Sequence, residues 1–168
     1  MFRDVPMFEN LLAERMRGLK HLLIVGVGNE LGCDDAAGIH LSRRIRREFP
    51  RSKRMSSIEA GTTPENFTSI IRGLRPSHVL IVDAAKMGMA PGSLRILQKN
   101  EIMGFDFSTH SLPLSILIDY LEKSSRAVVI VVGIEPLNVG FGKKLSKPVL
   151  GSITDLVRIL KQIIMLAS

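Results

Sequence analysis

Three short runs rich in β-branched residues recur along this 168-residue chain: HLLIVGVG at 21–28, HVLIVDAA at 78–85 and RAVVIVVGIEP at 126–136. They are brief for buried helices and too apolar to leave one face in water, so they read as strands covered on both sides. Between them lie helix-like segments at 36–49, 64–74 and 113–123, and another follows at 146–166 with a possible irregularity at Gly151. Two weaker runs, SSIEAG at 56–61 and SLRILQ at 93–98, complete the set of strands. The second follows HVLIVDAA after a short turn, which predicts one antiparallel edge strand. A polar loop is expected from there to His110. Strand–helix alternation of this kind predicts an α/β three-layer sandwich, with helices on both faces of a mostly parallel, twisted sheet of about five strands. No repeat or linker divides it. Residues 21–168 read as a single domain, preceded by a short amphipathic helical extension at 1–20.

Composition narrows the function classes. At 45% hydrophobic and 23% charged residues the chain is ordinary for a globular protein. No apolar stretch reaches membrane-spanning length, and the charged opening lacks the apolar core of a secretory signal. The lone cysteine, Cys33, precludes an internal disulfide and suits the reducing cytoplasm. The net charge of +7 is concentrated in RRIRREFPRSKR at 43–54, which reads as a solvated helix face and a charged loop. With no Trp, one Tyr and no basic motif interleaved with aromatics, no nucleic-acid partner is expected.

The turn after the first strand, GVGNELGCDDAAG at 26–38, looks at first like a phosphate cradle. It is a poor one. Leu31 occupies the third position of the dinucleotide fingerprint, no Gly-Lys-Ser/Thr ending follows, and Asp34 and Asp35 would repel an anion. Asp34 is expected to cap the following helix. Asp35 is free to project toward the carboxyl edge of the sheet, where the functional groups of open α/β folds gather. Glu59 ends the second strand and Asp83 the third. A carboxylate closing a buried apolar run needs donors or a cation. His110, in FSTHSLPLS, precedes the next helix. Two carboxylates and an imidazole make an open donor set for zinc or nickel. A nucleophilic hydrolase is not supported: there is no GxSxG elbow, and Cys33 reads as a small packing residue.

With these residues in view, the chain resembles the nickel–iron hydrogenase maturation endopeptidases, closest to the branch serving formate-hydrogenlyase-type hydrogenases. The passages that carry the likeness are GVGNELGCDDAAG, EAGTTPEN, LRPSHVLIVDAAKMGMAPGSLRIL, STHSLPLSILIDYL and VVGIEPLNVGFGKKLSKPV, in the family's order. The resemblance implies an enzyme that trims a carboxy-terminal extension from the hydrogenase large-subunit precursor after nickel insertion. It further implies that Asp35, Asp83 and His110 contact nickel supplied by that partner, with zinc or cadmium able to stand in for it in a crystal. Glu59 lies in the turn that in the family helps to position substrate, and Glu59 or a spare carboxylate is the candidate general base. Two departures stand out: Ala36 replaces a glycine after the acidic pair, and Glu59-Ala60-Gly61 replaces an acid-Gly-Gly turn. A monomer is expected. The competing expectation is a non-catalytic chaperone docking on the metal-loaded precursor.

Overall fold

Burial of the apolar runs organises the molecule. The computed structural model describes residues 5–102, 104–107, 111–142 and 144–167. Along the chain run α1 (Val5–Arg15), β1 (Leu22–Val27), α2 (Ala37–Glu48), β2 (Met55–Gly61), α3 (Thr68–Leu74), β3 (His78–Lys86), β4 (Leu94–Leu97), α4 (Lys99–Ile102), β5 (Asp106–Phe107), α5 (Ser111–Ser124), β6 (Val128–Ile134) and α6 (Lys147–Leu166). Single 3-10 turns at Cys33–Ala36 and Pro64–Phe67 lead into α2 and α3.

The strands lie in the order β2-β1-β3-β6-β4. The first four are parallel, and β4 is antiparallel to β6. Every residue of β1 is buried, as is all of β3 except Lys86, as expected of strands covered on both faces. Period-two alternation divides their side chains. Leu22, Ile24, Leu80 and Val82 pack with α1, α2 and α6, whereas Leu23, Val25, Val79 and Ile81 pack with α3 and α5. The predicted three-layer sandwich is therefore present.

The expected antiparallel edge strand is β4, which pairs with β6. Two details differ from the sequence reading. The expected polar loop contains the one-turn helix α4 and the two-residue strand β5, which pairs with Ala85 and Lys86 at the far end of β3. The helix α6 runs unbroken through Gly151. The amino-terminal helix joins the core: Phe8, Leu12, Met16 and Leu19 belong to the same buried cluster as α2 and α6. Arg54 fastens this region by donating to the carbonyls of Leu19, Ile164 and Ala167. Among the described residues no helix is long and apolar enough to cross a membrane.

Candidate functional site

Strand order fixes where a site can form. From β1 the chain crosses to β2 on one side, while β3 lies on the other, so the connections diverge between β1 and β3. Crevices open at the carboxyl ends of strands at such a switch point. Asp35 follows β1 and Asp83 lies near the end of β3, one position beyond the last residue that pairs with β1.

Glycines let the turn after β1 close tightly over this edge. A side chain on Gly38 would overlap the carbonyl oxygens of Val27 and Val82, near the end of the β1–β3 ladder, so the start of α2 rests directly on them. Gly28 adopts φ +141, which L side chains rarely tolerate, and a Cβ there would overlap the carbonyl of Asp35. That carbonyl accepts from Asn29 N at 3.2 Å, while Asp35 N donates to Gly32 O at 3.0 Å. The Asp35 side chain folds over Gly32, where an added Cβ would lie 2.7 Å from the Asp35 Cβ.

The neighbouring aspartate has a different role from the one expected. Asp34 is fully buried and makes no capping hydrogen bond to α2. Its Oδ2 accepts from Leu137 N and Asn138 N, both at 2.9 Å, and its Oδ1 from Ser146 N at 2.7 Å. The carboxylate faces inward because the loop after β6 offers three amide donors there.

Asp83 is also fully buried. By strand parity it points to the same face as Val79, Ile81 and Ala85, and its register partner on β6 is Gly133, which places no side chain beside it. His110 lies outside the described residues; Phe107, three positions earlier, pairs with Ala85, two positions beyond Asp83. Among the described residues no group of three His, Cys, Asp or Glu side chains is placed to hold a metal ion.

Glu59 lies on the outer neighbour of β1 and faces the other layer. Ile58 and Ala60 belong to the α3/α5 side, so Glu59 alternates toward α2. There Oε2 accepts from Arg43 Nε at 2.8 Å and Oε1 from Arg46. Arg43 also reaches Glu30 of the β1–α2 turn at 2.6 Å, and these hydrogen bonds, the one to Glu30 foremost, raise its pKa further. Glu59, Arg43, Arg46 and Arg47 line an open groove of about 340 Å³. The basic segment thus reaches the site's border through Glu30 and Glu59. Nearby His40 has its pKa lowered by burial and then by the charge of Arg43.

Comparison with known proteins names the scaffold. The family model for hydrogenase maturation proteases matches residues 39–163. The chain belongs to this family. The match includes Glu59, Asp83 and His110 and begins just after the Asp35 turn. A hydrogenase 3 maturation protease from Escherichia coli K12 is 39% identical over 128 residues, covering 76% of this chain and 80% of that one. The solution structure of the endopeptidase HycI from E. coli superposes with TM-score 0.71 at 34% identity, covering 82% of this chain and 87% of the other. The crystal structure of HycI from Thermococcus kodakarensis superposes with TM-score 0.81 at 25% identity, covering 91% and 97%. This maturation protease is therefore a peptide hydrolase.

Against the family pattern, Ala36 needs no special backbone. It has φ −81 and ψ 3 at the start of α2, a conformation open to any residue, and its methyl is buried. A residue the sequence reading did not single out is Glu135. It lies just after β6, nearly buried, and its Oε2 accepts from Met87 N at 2.7 Å and Met89 N at 3.1 Å. It pins the turn after β3, as Asp34 pins the loop after β6. A carboxylate immediately after a buried strand was the available signal, the same one that marked Asp83.

Proposed function

We propose that this protease removes a carboxy-terminal extension from the precursor of a nickel–iron hydrogenase large subunit, and that Asp35, Asp83 and His110 read nickel carried by that substrate. The reading rests on one observation above others: two acids from distant parts of the chain stand at adjacent strand ends, at the switch point of a maturation-protease fold. Carboxylate and imidazole donors suit nickel and zinc alike. Nickel docked there would polarise the scissile carbonyl or lower the pKa of a water molecule. The chain contributes a tight turn, closed by Gly28 and Gly32 against Asp35, and acids at a fixed edge. Glu59 receives no base role here: both its oxygens accept from guanidinium groups, and proton abstraction would require those ion pairs to open. It serves instead to anchor Arg43 and Arg46 beside the Asp35 turn.

Cleavage of the purified precursor, with and without nickel, tests the reading. Wild type is expected to shorten only the nickel-loaded form. Asp35→Ala, Asp83→Ala and His110→Ala are each expected to slow the reaction by about a hundredfold or more, the scale on which a preorganised electrostatic partner acts. Equal rates on nickel-free precursor, or full activity in all three variants, would sink it.

A further inference from the structure

Residues 137–142, LNVGFG, carry large apolar side chains on an exposed loop. Leu137 and Phe141 are 60% and 91% exposed, and Val139 between them is 36% exposed, with Asn138 and Gly140 exposed beside them. The Asn138 carbonyl accepts from Asp34 N at 2.9 Å, and its side-chain Nδ2 lies 3.8 Å from Cys33 Sγ. Gly142 lies so close to the Asp35 turn that a Cβ would sit 2.7 Å from Cys33 Sγ. Its N–H donates to Leu31 O at 2.8 Å and its carbonyl accepts from Cys33 N at 3.0 Å. Burial favours the opposite arrangement, with apolar side chains inward.

We infer that this strip, extended by the exposed Leu31, is the surface on which an apolar segment of the precursor docks. The inference rests on the function proposed above and adds how the protein substrate is held. The strip is joined to the reading turn: Asp34 binds its first two amides, and Asp35 is the next residue. A protein whose metal reaches Asp35 must lie against Leu31 and Phe141. The amides of Leu137, Asn138, Gly140 and Gly142 already donate within this region, so the contact is made by apolar side chains rather than by strand addition. Clustered, exposed large apolar side chains rimmed by polar groups mark such interfaces, and a few of them carry most of the affinity.

Kinetics on full-length nickel-loaded precursor, comparing wild type with Leu137→Ser and Phe141→Ser, tests the inference. Each variant is expected to raise KM about tenfold while kcat stays within about twofold, the pattern of lost binding shared by ground and transition states. Leu166→Ser, equally exposed on α6, is the control and is expected to change neither. Unchanged KM in both strip variants would overturn the inference. So would a wild-type dimer, seen by sedimentation, that Phe141→Ser dissociates without altering KM. If wild type cleaves no precursor, the proposed function fails, and co-sedimentation with the precursor still decides the docking surface: binding lost in Phe141→Ser supports it and binding retained refutes it.

Discussion

Two adjacent aspartates divide the work of the opening turn. Asp34 faces inward and organises a loop more than a hundred residues away; Asp35 remains at the edge. Replacing Asp34 by Ala leaves three partly buried amides without their acceptor. Unsatisfied donors of this kind, bonded to a charged partner, predict a loss of about 3 kcal/mol or more, measurable by urea unfolding. Asp34→Asn, which keeps one acceptor oxygen, is expected to fall between that variant and wild type, and equal stability of all three would contradict the clamp. The sequence showed that only one of the pair could project to the sheet edge. It could not show what the other binds, because the donors belong to Leu137, Asn138 and Ser146 and leave no local trace in CDD. A cap was the local solution; a long-range clamp offered three hydrogen bonds in place of one.

Elements set the site by close approach. The start of α2 can rest on the carbonyls of Val27 and Val82 only because residue 38 has no side chain. Gly38→Ala is expected to lift the helix from both strands and to cost about 3 kcal/mol through overpacking, with precursor cleavage reduced because the Asp35 turn moves with it. Thermal melting and a cleavage assay check this; a variant as stable and active as wild type would show that α2 has slack. The strands themselves were legible, since β1, β3 and β6 are continuous apolar runs that no amphipathic helix imitates. Glu59 was half legible. Its place near a strand end followed from the pattern, and its direction could have followed too, because it alternates with Ile58 and Ala60. What no pattern contained was the reach of Arg43 and Arg46 across from α2. The short α4 and β5 were illegible for a simpler reason: elements of four and two residues carry no periodicity, and β5 exists only because β3 extends beyond its parallel neighbour β1.

Across the whole molecule the two ends of the sheet are chemically distinct. Acids gather at the carboxyl ends of the strands, and two of the four histidines sit at the amino ends. His78 opens β3 and is buried, with Nδ1 3.0 Å from Ser77 Oγ and Nε2 without a hydrogen-bond partner among the described residues. His21 precedes β1, with Nε2 2.9 Å from Ser56 Oγ. Burial lowers both pKa values below the ordinary histidine value, so near and below that value the unfolded chain binds more protons than the folded one. Stability therefore rises with pH through this window: the contribution is complete above the unfolded pKa and is lost as pH falls through the folded one. The melting temperature is expected to drop between about pH 7.5 and 5.5, before most carboxylates titrate. In His78→Gln, which cannot take up the proton, the slope should be shallower. Because His78 lies at the end of β3 opposite Asp83, the same substitution should leave the pH profile of precursor cleavage unaltered. An unchanged stability slope would remove His78 as its source. A shifted cleavage profile would show that the two ends of the sheet are coupled through β3.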